Sequence, residues 1–126
     1  MRSMLNWFLM AAAAAAVGCS GDDNAPSDGG TPGTVTVGNI FFRSGNNDTQ
    51  NPAIDTVAVG TTVTWTLNNT GSTAHTVRSE GSPTFSSSGE LSGNGTTYTF
   101  TFNTPGTYQY DCAIHGELMT GRVVVQ

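Results

Sequence analysis

Apolar and polar residues alternate with a period of two along much of the chain. Val63, Trp65 and Leu67 interleave with Thr62, Thr64 and Thr66, and Tyr98, Phe100 and Phe102 interleave with Thr97, Thr99 and Thr101. Successive side chains of a strand point to opposite faces, so this period predicts strands with one face in a core and the other in water. Val35-Thr36-Val37, Val57-Ala58-Val59 and Val123-Val124-Val125 predict further strands. Gly60, Asn68-Asn69-Thr70-Gly71, Gly93-Asn94-Gly95 and Pro105-Gly106 separate them as turns. Seven to eight short strands with turns at fairly regular intervals predict an all-β fold, a β-sandwich. From residue 34 onward no segment has helical periodicity, and the pattern leaves room for only a single helical turn between residues 80 and 95.

The first quarter of the chain has a different pattern. Arg2 precedes an apolar run from Trp7 to Val17 that contains six consecutive Ala. A transmembrane helix needs about 20 apolar residues. The shorter run, with its positive start, reads as a secretory signal peptide over residues 1–18. It ends in Ala16-Val17-Gly18-Cys19-Ser20. Small residues directly before a Cys resemble a bacterial lipoprotein cleavage site, where Cys19 becomes the lipidated first residue, although Ala16 stands where such sites usually carry Leu. The other reading is an ordinary signal peptide with Cys19 incidental. Residues 20–33, SGDDNAPSDGGTPG, are too polar and small to bury apolar surface. With Cys19 they read as a tether over 19–33 that holds a folded domain at 34–126 to a membrane. The expected location is the periplasm or outer cell envelope.

Composition narrows the function classes. At 37% hydrophobic and 9% aromatic residues the chain can build a core. It has no Lys and four Arg against nine acids. Removing residues 1–18 takes away Arg2 and leaves a net charge of −6. Nucleic-acid binding needs a basic face, so that class is excluded. The acidic charge suits either simple solubility or steering of a basic partner.

Candidate chemistry rests on four residues. The chain has two Cys and two His, and Cys112 is followed by His115 and then Met119, with His75 far upstream. In an exported chain an unpaired Cys calls for an explanation. Tyr108, Tyr110 and Cys112 share the inner face of a strand, which leaves inert burial and metal ligation equally open for Cys112 alone. The segment Ile114 to Met119 reads as a short loop before the last strand, and such a loop can aim Cys112, His115 and Met119 at one point. One thiolate, two imidazoles and a thioether form the ligand set of an electron-transfer copper site, with the thioether weak and axial. A structural zinc site more often takes its strong ligands from Cys and His alone.

The stretch Gly106-Thr107-Tyr108-Gln109-Tyr110-Asp111-Cys112-Ala113-Ile114-His115-Gly116-Glu117-Leu118-Met119-Thr120-Gly121-Arg122-Val123-Val124-Val125 resembles the C-terminal signature of the plastocyanin/azurin family of cupredoxins. Val63-Thr64-Trp65-Thr66-Leu67-Asn68-Asn69 leading to Ala74-His75-Thr76-Val77 resembles that family's upstream ligand region, and Val35 to Phe42 its first strand. The resemblance covers nearly all of 34–126 and implies a Greek-key sandwich. It implies one copper ion cycling between Cu(I) and Cu(II), with His75, Cys112 and His115 as strong ligands and Met119 as the axial one. It further implies transient docking of redox partner proteins near His115, with Ile114 and Leu118 as patch members; core packing is the alternative role for these two. A monomer is expected.

Two departures stand out. Three residues separate His115 from Met119, where plastocyanins usually have four and amicyanins two. Thr76 also stands where the family often has Asn, which bonds across to the Cys region; the Thr76 hydroxyl can take that part. The resemblance implies an electron carrier and no enzyme. Two rivals share the pattern: a copper carrier or storage protein using the same ligands, and a metal-free structural module in which Cys112 stays reactive.

Overall fold

In the computed structural model, residues 30–68 and 70–126 are described. The segment expected as a signal peptide, the expected lipid site Cys19 and most of the expected tether lie outside them. Eight strands form: β1 (Thr34–Gly38), β2 (Phe41–Ser44), β3 (Ala53–Val57), β4 (Thr61–Leu67), β5 (Arg78–Glu80), β6 (Thr97–Phe102), β7 (Gly106–Cys112) and β8 (Gly116–Val125). They make two four-stranded sheets, ordered β2-β1-β4-β6 and β3-β8-β7-β5. The pairs β1/β4 and β3/β8 are parallel and all others antiparallel. This is the all-β sandwich that the period of two predicts. Among the described residues there is no helix, so the turn allowed between residues 80 and 95 does not form.

Alternation places the core. Val63, Trp65 and Leu67 of β4 face inward against Tyr108, Tyr110 and Cys112 of β7 and Met119, Val123 and Val125 of β8. Trp65 lies at the centre. Its ring meets Tyr110 edge-on at 5.4 Å and stacks on Phe85 at 5.9 Å. Phe85 arrives from the irregular segment between β5 and β6, a core contribution that no period announces. On β6, at the edge of its sheet, only Phe102 is fully buried, while Tyr98 and Phe100 are half-buried.

Three local expectations need correction. The stretch Val35 to Phe42 is not one strand. Asn39 and Ile40 turn it back into a hairpin, with Ile40 at φ 65°. The strand expected at Val57-Ala58-Val59 ends at Val57, and Ala53–Val57 is the strand instead. There the buried positions are Ala53, Asp55 and Val57, and a carboxyl on the inner face hides the apolar period from the sequence. Finally, Gly116–Met119 belongs to β8 and is not loop.

Gly121 is the partner of Tyr110 in the β7/β8 ladder, and its lack of a side chain makes room for that ring. A Cβ there would stand 2.2 Å from the Tyr110 ring. No side chain fits, because the Tyr110 ring crosses directly over the β8 backbone.

Asp55 is the acid held inside this core, with 1% of its surface exposed. Ser44 donates to its Oδ1 at 2.7 Å, and its Oδ2 has no partner among the described residues. Burial pushes its carboxyl up to about 6, only partly opposed by the Ser44 bond. A carboxyl raised above its ordinary value favours the folded state when protonated. That contribution is complete below the unfolded value of 3.8 and is lost as pH rises through 6. Between pH 4 and pH 7 the metal-free protein therefore loses roughly 2 kcal/mol of stability relative to Asp55→Asn. Denaturant unfolding of both proteins across that range checks this, and parallel pH curves would remove Asp55 as the cause.

Candidate metal centre

The three strong-ligand candidates come from two segments that meet at one end of the sandwich. His75 lies beyond β4 in irregular chain. Its backbone is held by a two-bond bridge, its N–H donating to Leu91 O at 3.0 Å and Leu91 N–H donating to its carbonyl at 2.8 Å. Its side chain is fully buried. Cys112 closes β7, also fully buried and in no disulfide. The chain then reverses through Ala113, Ile114 and His115. Gly116 takes φ 58°, a left-handed turn that a residue without Cβ adopts freely, and it pairs with Cys112.

His75, Cys112 and His115 present their donor atoms within 4.8 Å of one another. Cys112 Sγ lies 3.8 Å from His75 Nδ1 and 3.6 Å from His115 Nδ1. The imidazole centroids are 4.9 Å apart. A nitrogen and a sulfur bonded to one first-row ion at about 2.0 and 2.3 Å, 120° apart, stand about 3.7 Å from each other. The observed spacings fit a shared ion. Electrostatics agree: burial pushes the His75 imidazole below its ordinary value, and the charge of His115 acts in the same direction. A neutral ring keeps the lone pair that a metal needs.

Met119 is fully buried on the inner face of β8, the face toward which Cys112 points on β7. The β7–β8 register shifts between Asp111, which pairs with Thr120, and Cys112, which pairs with Gly116. Glu117, Leu118 and Met119 thus bulge out of the ladder beside Cys112. The bulge accommodates the three-residue spacing between His115 and Met119.

Thr76 joins the two segments. Its N–H donates to Cys112 Sγ at 3.4 Å, and its Oγ1 accepts from Ala113 N–H at 2.7 Å. The hydroxyl does make the cross-link expected at that position. Ile114 is 49% exposed and Leu118 70%, so core packing is not their role. Sequence reading missed two supports. Leu91 anchors His75 through backbone alone, which leaves no mark in residue type. Asp111 is buried beside Cys112 and paired with Arg78, 33 residues away.

A β-sandwich with a His-Cys-His cluster at one end defines a copper protein of the cupredoxin class. The family model described as copper binding proteins, plastocyanin/azurin family, matches residues 43–126, and the chain belongs to that family. No curated protein matches the chain. Among solved structures it is similar to a purple cupredoxin from Nitrosopumilus maritimus, at 26% identity over 74% of this chain and 98% of that one, with a TM-score of 0.57. An oxidised proline-to-glycine mutant of amicyanin matches at 26% identity over 79% and 85%, with a TM-score of 0.58. A copper-containing nitrite reductase from Thermus scotoductus matches at 30% identity and a TM-score of 0.55; 76% of this chain aligns with only 22% of that one. The cofactor of this family and donor set is one copper ion.

Replacing the Thr76 hydroxyl tests the cross-link. Thr76→Val keeps the backbone N–H to sulfur but leaves Ala113 N–H without its acceptor. It should lower the unfolding free energy of the copper-free protein by about 1 kcal/mol. Thr76→Asn, which restores an acceptor, should recover most of it. Equal stability of all three would show that the bond contributes nothing.

Proposed function

We propose that the protein is an exported type 1 copper protein that carries single electrons at the cell envelope. In this reading residues 1–18 are removed, Cys19 carries lipid, the tether runs to residue 33 and residues 34–126 form the electron-carrying domain. His75, Cys112 and His115 are the strong ligands and Met119 is the axial one. The observation that carries the reading is the convergence of His75 Nδ1, Cys112 Sγ and His115 Nδ1 at one end of a closed sandwich.

Copper, when bound, supplies the one-electron couple. The residues supply a fixed frame for it. His75 is locked by the Leu91 bridge, Cys112 by the Thr76 N–H and His115 by the Gly116 turn. A frame that does not rearrange between oxidation states keeps the cost of electron transfer low. Thr76 N–H withdraws charge from the Cys112 sulfur, a bond of the kind that tunes such centres. His115 is the ligand nearest solvent and lies between exposed Ile114 and Leu118. That edge suits brief docking of a redox partner over a small apolar contact. The protein acts as a monomer and performs no chemistry on a substrate.

The first test is the visible and electron paramagnetic resonance spectrum of the full chain, purified in detergent and loaded with copper(II). An intense thiolate-to-copper band with narrow copper hyperfine splitting is expected, lost in Cys112→Ser. A colourless protein would overturn the reading. Rapid loss of the ion to an acceptor protein would favour delivery over electron transfer.

Docking is tested by electron self-exchange between reduced and oxidised protein. Leu118→Glu should slow the second-order rate by about tenfold, the effect of losing 1–2 kcal/mol of encounter stabilisation, with the spectrum unchanged. An unchanged rate would place the docking surface elsewhere.

A further inference from the structure

The segment that delivers His75 continues into β5, and β5 is only three residues long. It is an edge strand bonded to β7 alone. Few backbone bonds therefore hold the His75 arm against the strand that carries Cys112. Arg78, the first residue of β5, stands directly opposite Asp111. Its Nε donates to Asp111 Oδ1 at 2.8 Å and a terminal nitrogen donates to Oδ2 at 2.7 Å. The Arg78 Nε also lies 2.9 Å from Glu80 Oε1.

The two partners are unequally placed. The Asp111 side chain is 9% exposed and that of Arg78 is 44% exposed. The guanidinium lies as a lid over a carboxylate that immediately precedes the Cys112 thiolate in sequence. The bond to Asp111 holds Arg78 above its ordinary value, and the charges of Asp111, Glu80 and Cys112 add to the effect. A planar fork on a carboxylate fixes geometry as well as charge. An enclosed carboxylate stripped of its cation remains as an uncompensated charge.

We propose that the Arg78–Asp111 pair is a positioning and charge-balancing clamp for the copper centre, pinning the His75 arm to the Cys112 strand and neutralising the carboxylate beside the thiolate. The inference rests on the copper reading above. Neither residue touches the donor atoms, so both are positioning residues. Reduction moves one electron from a donor protein or chemical reductant onto the bound copper, making the site more negative by one charge. A bare carboxylate beside it opposes that change and a bare guanidinium favours it.

The test compares Arg78→Met, Asp111→Asn, the double variant and Arg78→Lys in the full chain. It measures the midpoint potential by redox titration and the melting temperature of the copper-free protein. Arg78→Met should lower the potential, Asp111→Asn should raise it, and the double variant should fall between them. Arg78→Lys keeps the charge but loses the fork, so it should hold the wild-type potential and lose melting temperature. A purely structural pair would not give shifts of opposite sign, and equal or absent shifts would overturn the charge-balancing role. Unchanged melting in Arg78→Met and Arg78→Lys would overturn the clamp. Both changes sit on the more exposed partner, so they report even if Asp111→Asn does not fold. A wild-type chain that takes up no copper would sink the copper reading itself. A blue wild type with unresponsive variants would sink only the clamp.

Discussion

The structure depends on how closely its two sheets close over Trp65. The indole meets Tyr110 edge-on from the opposite sheet and lies flat against Phe85, which enters from a segment without regular structure. Aromatic pairs of this kind contribute about 0.5–1.5 kcal/mol each beyond the area they bury. The larger effect is geometric. Tyr110 is two residues before Cys112, and Trp65 lies near the end of the strand that leads to His75. Fixing the two rings at 5.4 Å therefore fixes how far apart the two ligand-bearing ends emerge. Within its own sheet the Tyr110 ring is held over Gly121 of β8, where only a residue without Cβ leaves it room.

Once the ends are set, short polar bonds complete the site. The Leu91 bridge orients His75, and Thr76 joins its arm to Cys112 and Ala113. The candidate ligands come from both sheets: β4 leads towards His75 from one, while in the other Cys112 closes β7, His115 sits in the turn before β8 and Met119 lies on β8. Much of the site is rigid, because moving His75 or Cys112 requires moving packed chain or breaking a bond that satisfies a buried group. Rigidity of this kind suits a centre that gains and loses an electron without rearranging.

Charge is distributed by a different logic. The acids in the domain do not form one field. Asp55 is enclosed in the core with Ser44 as its partner, and Asp111 is covered by Arg78. Glu117 stays exposed beside the copper loop. The exposed surface near His115 is therefore apolar at Ile114 and Leu118, with a single acid beside it. In the proposed reading, a redox partner would meet a weakly charged contact there.

The sequence by itself determined the class of fold and the chemistry of the site. A period of two over residues 62–67 and 97–102 dictates strands, because alternate side chains must face opposite sides. Cys112, His115 and Met119 lie close enough along the chain for one turn to gather them, and their donor types narrow the metal to copper. Tertiary structure decided what depends on distant partners. The inward carboxyl of Asp55 masked strand β3, since a polar residue can occupy a buried position only where another element supplies Ser44. The hairpin at Ile40, the bulge before Met119, the Leu91 bridge and the Arg78–Asp111 pair leave no local signature, because each is fixed by a strand or segment that the chain reaches only on folding. The meeting of His75 with Cys112, 37 residues apart, is of the same kind: both residue types are visible in the sequence, but only the closed sheets bring a nitrogen and a sulfur to 3.8 Å.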